Sequence, residues 1–367
     1  MRVLIGAGGT GGHVYPALAT AQALLRDSSE ARELYFVGAA GGMEGKLVRN
    51  SGLEFAGYHE VSAGPLHGVN LLRAAVSLVQ LSIGTAQALV KLRQIRPQVI
   101  LLTGGWANLP LALGARLLGI PSIVYLPDIE PGLAIKLLSR FAAKVAISVG
   151  ASARYFPAGK TVVTGYPLQE NRLRATWVKA LERFKLDSTR RTLLVFGGSR
   201  GARSINIALG EHLGRLLADG LQILHITGEL DWARAQRQAG RLIDHPDYQV
   251  FPYLHDDMGL AFAAADLVLC RAGASTLAEL PLFGLPAILA PYPYAWRYQK
   301  INADYLSDRG AAIRLNDEDL PSRLYDEIAY LIHDEARLRE MSRRSRALAN
   351  TDGAYNLARL LLETAKT

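Results

Sequence analysis

The 367-residue sequence holds a single cysteine, Cys270, so no disulfide closes within the chain and no cysteine cluster offers a structural zinc site. That usage fits a reducing compartment. Hydrophobic residues make up 50% of the chain, yet no uninterrupted apolar run reaches the roughly eighteen residues of a spanning helix, which predicts a soluble or surface-attached protein. The opening Met1-Arg2-Val3-Leu4-Ile5 leads directly into a strand and a glycine loop, without the layout of a cleaved signal peptide. Short-period repeats and low-complexity tracts are missing, which excludes solenoids and disordered tails. Acidic residues are absent from Val61 to Pro127, where Arg73, Lys91, Arg93, Arg96 and Arg116 lie among Leu72, Val76, Leu78, Val79, Leu81, Ile83, Leu89 and Val90. Two readings stay open for this basic, apolar, helical segment: a buried helix with solvated ends, or a face that docks on a membrane interface. The net charge of +8 predicts an anionic partner. Nucleic acid is disfavoured, because no Lys/Arg run is interleaved with stacking aromatics.

What the sequence does contain is one pattern written twice. Val3-Leu4-Ile5-Gly6-Ala7-Gly8-Gly9-Thr10-Gly11-Gly12-His13 and Leu193-Leu194-Val195-Phe196-Gly197-Gly198-Ser199-Arg200-Gly201-Ala202 each run from an apolar strand through a glycine-rich loop toward a helix. Glycine there admits close backbone approach, and the following helix start offers N–H groups to an anion. Short apolar runs alternate with helix-length amphipathic stretches throughout, as in parallel sheets covered by helices. Strands are predicted at 2–5, 34–37, 99–102, 122–126, 145–147 and 161–163, and again at 192–196, 222–226, 248–250, 267–270, 287–289 and 312–314. The expected class is α/β, with two Rossmann-like, doubly wound domains, 1–164 and 165–351, facing each other across a cleft. A last helix, about 352–367, is expected to cross back onto the first domain.

Gly6-x-Gly8-x-x-Gly11 formally matches a dinucleotide fingerprint, but the second strand ends Phe36-Val37-Gly38-Ala39-Ala40 without the carboxylate that would hold a ribose. An NAD(P) enzyme is therefore disfavoured and no cofactor is assigned. His13 falls at the first turn of a helix, whose N-terminus discourages the imidazolium, and this makes it a candidate general base. After the strand Leu267-Val268-Leu269-Cys270 comes Arg271-Ala272-Gly273-Ala274-Ser275-Thr276-Leu277-Ala278-Glu279. Backbone N–H groups at Ala274, Ser275 and Thr276 suit a diphosphate, and Glu279 suits vicinal ribose hydroxyls. Pro291 to Ala303 supplies amide, aromatic and cationic groups fit for a sugar. Asp317-Glu318-Asp319 has the acidic-x-acidic text of metal-dependent sugar transferases, but Asn316 and Asp317 read as helix N-caps, as do Asp256 and Asp257, so no metal is assigned.

These motifs, taken colinearly, resemble the MurG family of glycosyltransferases over nearly the whole chain. The resemblance is carried by Gly8-Gly9-Thr10-Gly11-Gly12-His13 with Pro16, Met43-Glu44, Gly104-Gly105, Gly197-Gly198-Ser199 with Gly201-Ala202, Cys270 to Ala274 through Glu279, and Gln299 with Asn302-Ala303. It implies a GT-B architecture and inverting, metal-independent transfer of N-acetylglucosamine from UDP-N-acetylglucosamine to the C4 hydroxyl of a polyprenyl-diphosphate-linked muramyl-pentapeptide. The expected location is peripheral, on an anionic membrane surface at the cytoplasmic face. Ser199 would contact diphosphate, Ala274, Ser275 and Thr276 would line the nucleotide, Glu279 would hold ribose, and Gln299, with Asn302 nearby, would bind the sugar. The acceptor would enter past Thr10, Gly11, Gly12, His13, Gly104 and Gly105.

Departures cluster on the sugar and acceptor side. Where the family commonly has His-Glu-Gln-Asn, this chain has Tyr125-Leu126-Pro127-Asp128, so Asp128 accepts hydrogen bonds where an asparagine also donates, and it rivals His13 as the base. Trp106-Ala107-Asn108 follows Gly104-Gly105, Tyr298 replaces a glutamine, and an arginine expected after the interdomain Pro is missing from Tyr166-Pro167-Leu168-Gln169, with Arg172 as its substitute. Alternatives are a related transferase with another lipid acceptor, a silent UDP-sugar-binding protein, and a sugar-nucleotide epimerase of the same two-domain design.

Overall fold

The protein, seen as a computed structural model, is described over residues 1–26, 32–65, 70–198, 201–294 and 297–366. It divides into two compact units: Met1–Gln169 together with Asp352–Thr367, and Glu170–Thr351.

Unit 1 is built on a seven-stranded parallel sheet of β1 (Arg2–Gly6), β2 (Glu33–Ala39), β3 (Gly57–Val61), β4 (Val99–Leu102), β5 (Ser122–Leu126), β6 (Lys144–Ile147) and β7 (Thr161–Val163), in the order β3-β2-β1-β4-β5-β6-β7. β4 and β5 are buried along their whole length, as the continuous runs Val-Ile-Leu-Leu and Ser-Ile-Val-Tyr-Leu require of strands covered on both faces. β3 is absent from the sequence expectation. It is an edge strand, Gly-Tyr-His-Glu-Val, in which only Val61 is buried, so its backbone pairing with β2 carries it rather than an apolar pattern. Tyr166 and Leu168 stay buried in unit 1, with Tyr166 set edge-on to Tyr125 at 6.2 Å, which puts the division after Gln169. The Gly353–Thr364 helix completes this unit: Leu357 and Leu361 are fully buried and Asn356 Nδ2 donates to Thr164 O at 3.1 Å.

The Leu71–Ile95 helix starts at Asn70, whose side chain accepts from Arg73 N–H at 2.9 Å, and ends at Arg96 in the left-handed region. Leu81, Ala88, Leu92 and Ile95 are core residues, and the helix packs on the Asn108–Leu117 helix. Its opposite side leaves Leu72 81% exposed and Val76, Leu78, Val79, Ile83 and Val90 about half or more exposed. The segment is thus buried on one side and leaves an apolar surface open on the other. Leu72–Ile95, with mean hydropathy 1.3, is long and apolar enough to cross a membrane by length and composition; polar interruptions keep it from showing as an unbroken run.

Unit 2 carries a six-stranded parallel sheet of β8 (Thr192–Phe196), β9 (Gln222–Ile226), β10 (Tyr248–Phe251), β11 (Leu267–Cys270), β12 (Ala287–Leu289) and β13 (Ala312–Arg314), ordered β10-β9-β8-β11-β12-β13. In both sheets the strand order reverses beside the first strand, between β1 and β4 and between β8 and β11. Loops leaving the carboxyl ends of those pairs splay apart and open a crevice, the usual ligand position in this class. All four such loops carry residues singled out in the sequence.

Candidate active site

In unit 1 the loop after β1 runs into the Gly11–Arg26 helix, and the loop after β4 lies directly on it. Gly104 and Gly105 have φ of 119° and 87°, values that L side chains rarely adopt. A Cβ on Gly104 would sit 2.8 Å from the His13 ring, and one on Gly105 would press into Gly8 O. The His13 ring thus occupies space that a side chain at position 104 would take. Its Nδ1–H donates to Gly8 O at 2.9 Å, with the Thr10 hydroxyl 3.4 Å from the same nitrogen. Because a carbonyl only accepts, the neutral ring carries its proton on Nδ1 and leaves the Nε2 lone pair available. Burial lowers the His13 pKa, partly opposed by the Gly8 hydrogen bond and by the charges of Asp128 and Glu44. Asp128, half-buried just beyond β5, is thereby brought to the same loop cluster as His13, Gly104 and Gly105, while Gly12 stays exposed. Tyr125, where the family commonly has histidine, is sealed in the core, bonded to Ser148 Oγ at 2.6 Å.

In unit 2 the loop after β11 enters the Thr276–Phe283 helix. Thr276 N–H is engaged with Gly273 O at 3.1 Å, so of the three expected anion donors Thr276 is spent inside its own turn. Ala274 N–H and Ser275 N–H have no such bond among the described residues. Glu279 is buried one turn into the helix, and Arg172 approaches it, Nε to Oε1 at 3.6 Å, with its guanidinium over the Phe262 ring and its buried Nη1 without a hydrogen-bond partner among the described residues. Gln299 Oε1 accepts from Tyr292 N–H at 2.9 Å, which leaves its amide nitrogen as the group to present. Asn302 is fully buried and its amide donates to Ala272 O at 3.2 Å, so it supports the loop from beneath. Ser199, like Arg200, Ala295 and Trp296, lies outside the described residues.

Two arrangements escape sequence reasoning. Asp317 is no helix cap: its side chain pairs with buried Arg271 and accepts from Ser204 Oγ at 2.6 Å, while Arg271 also donates to Ala290 O at 3.0 Å. Asp257 likewise makes no cap bond and pairs with Arg183 at 2.7 Å. Beneath the loop after β8, Tyr248 OH donates to His225 Nδ1 at 2.8 Å and His225 Nε2–H to Asn206 Oδ1 at 3.0 Å. Asn206 in turn donates to Thr227 O at 2.9 Å and Asp231 Oδ2 at 3.3 Å. The signal for both was present only as polar residues inside apolar strands or at helix starts, with partners tens of residues away.

Two family descriptions match the chain: the glycosyltransferase family 28 N-terminal domain over residues 3–147 and its C-terminal domain over residues 192–359. The UDP-N-acetylglucosamine--N-acetylmuramyl-(pentapeptide) pyrophosphoryl-undecaprenol N-acetylglucosamine transferase of Roseiflexus sp. (strain RS-1) is 39% identical, with 99% of this chain and 95% of the relative aligned. The protein of the same name from Desulforudis audaxviator (strain MP104C) is 37% identical over 95% of this chain and 94% of its own length. Among solved structures, Acinetobacter baumannii MurG superposes with a TM-score of 0.78 at 27% identity, covering 99% of each chain. A UDP-GlcNAc 2-epimerase from Neisseria meningitidis, bound to UDP-GlcNAc, shares the fold at a TM-score of 0.67 and 13% identity, covering 99% of this chain and 100% of its own.

Proposed function

The chain belongs to glycosyltransferase family 28, and from that premise we propose that it transfers N-acetylglucosamine from UDP-N-acetylglucosamine to the C4 hydroxyl of a polyprenyl-diphosphate-linked N-acetylmuramyl-pentapeptide, with inversion. The observation that carries this reading is the 39% identity to an N-acetylglucosamine transferase across 99% of the chain.

In this reading the acceptor hydroxyl gives its proton to His13 Nε2, the nitrogen left free by the Gly8 hydrogen bond. The acceptor oxygen bonds to the anomeric carbon as the bond from that carbon to the β-phosphate oxygen breaks, and UDP leaves with the electron pair. Thr10, Gly11, Gly12, Gly104 and Gly105 line the acceptor's approach, and the Asp128 charge supports the imidazolium that forms. Asp128 is the rival for proton acceptor. On the donor side, Ala274 and Ser275 N–H groups and the helix start behind them take the diphosphate, with Ser199 from the loop after β8. Glu279 takes the ribose hydroxyls, Arg172 balances its charge, and the Gln299 amide faces the sugar. Fixed peptide dipoles thus receive the departing charge.

The exposed apolar side of the Leu71–Ile95 helix supports peripheral attachment to an anionic membrane at its cytoplasmic face. Because its other side is core, the helix lies along the interface rather than across it.

The test is transfer of labelled sugar with the muramyl-pentapeptide lipid, with a diacylglycerol acceptor, and with none. Product is expected with the first alone. UDP release indifferent to acceptor, or conversion of the UDP-sugar without one, overturns the reading.

A further inference from the structure

Glu44 opens the Glu44–Asn50 helix after β2 and is 1% exposed, yet the reading above gives it no task. Its Oε1 accepts from Gly9 N–H at 2.6 Å. Its Oε2 is buried with no hydrogen-bond partner among the described residues, at a spot where the approach of Gly42 leaves no room for even a Cβ. A carboxylate removed from water costs several kcal/mol unless paired, and buried carboxylates ordinarily acquire a cation or a full set of donors. This one holds a single peptide N–H, one residue from the carbonyl that orients His13.

We propose that Glu44 is the positioning residue for the proton-accepting histidine: Oε1 anchors Gly9 N–H, the anchored peptide keeps Gly8 O on His13 Nδ1–H, and the ring is held with Nε2 outward. The inference rests on the role given to His13 above. A group that must accept a proton near neutral pH is hindered by burial, which disfavours its charged form. Two carboxylates oppose that, Asp128 beyond β5 and Glu44 beyond β2; the other neighbours of the ring, Gly8 O, the Thr10 hydroxyl and Gly104, carry no charge. Glu44 acts without touching the ring, through one peptide unit and through its charge.

Glu44→Gln keeps a side-chain oxygen for Gly9 and deletes the charge; Glu44→Asp keeps the charge but is one methylene short of Gly9. In the full-length protein, E44Q is expected to lower the plateau of acceptor kcat/KM about tenfold. Loss of a nearby negative charge lowers the His13 pKa, so the acid limb of that profile moves to lower pH. E44D is expected to lose kcat with its acid limb close to wild type. UDP affinity by calorimetry stays unchanged in both. Ring-nitrogen NMR of selectively labelled His13 follows the same shift without turnover. A wild-type acid limb together with a wild-type His13 titration in E44Q overturns the inference. If instead the titration moves while His13→Ala transfers sugar at the wild-type rate, the role of His13 falls and Glu44 remains its electrostatic neighbour.

Discussion

Each unit opens a crevice of its own where its strand order reverses, and the two units secure the loops around it in different ways. In unit 1 the paired loops are held through their peptide groups: Gly105 against Gly8 O, Gly104 against the His13 ring, and Gly9 N–H on a lone carboxylate. In unit 2 the corresponding loops are tied by charged side chains, Arg271 to Asp317 and Ser204, and Arg172 to Glu279. Close packing of peptide against the ring fixes the imidazole and leaves one nitrogen uncommitted, which suits proton transfer. Opposed permanent charges already satisfy one another in part, which suits gripping a polar ligand. In the proposed reaction unit 1 supplies the chemistry and unit 2 retains the donor, and the split lies in the loops rather than in the sheets.

The sharpest way to break that contrast is His13→Ala. Turnover is expected to fall about a hundredfold or more, with UDP affinity unchanged by calorimetry; equal turnover would strip unit 1 of its chemical role. Glu279→Ala comes next. Loss of hydrogen bonds from a charged group costs ~1.5–3 kcal/mol, about a tenfold to hundredfold weaker UDP binding, and undiminished affinity would remove the ribose assignment. A third test asks what holds unit 2 together. Burial pushes the His225 pKa down to about 3, whereas the unfolded chain takes up that proton near 6.5. Between those values the unfolded state binds more protons, so stability is fully present above the upper one and is lost as pH falls toward the lower. The loss is at most ~1.4 kcal/mol per pH unit. Melting temperatures between pH 7 and 4.5 are expected to fall more steeply in the wild type than in His225→Gln; parallel slopes would refute it. The smallest effect concerns the surface of unit 1. Val79→Ser with Ile83→Ser is expected to weaken sedimentation with anionic vesicles about fivefold, and equal binding would leave the exposed helix face without its proposed use.

Much of the molecule was legible because its strands are short, fully buried and written as continuous aliphatic runs, as at Val99–Leu102 and Leu267–Cys270. Gly57–Val61 was not, since an edge strand with solvated side chains has no apolar pattern to read. The glycine loops were legible as loops between a strand and a helix, but not what secures them. That Asp317 pairs with Arg271, or that Glu44 reaches Gly9, depends on contacts spanning 46 and 35 residues that no local spacing encodes. Glu44 could be quoted as part of a motif, yet its contact with Gly9 N–H was invisible in the sequence.

The Gly353–Thr364 helix, whose Leu357 and Leu361 are core residues of the unit begun at Met1, sets an order of assembly. On the ribosome the second unit has all of its strands before the first receives its final covering helix. The half synthesised earlier is therefore the half finished later. Until that segment is made, the side of the Gly11–Arg26 helix that it covers stays open.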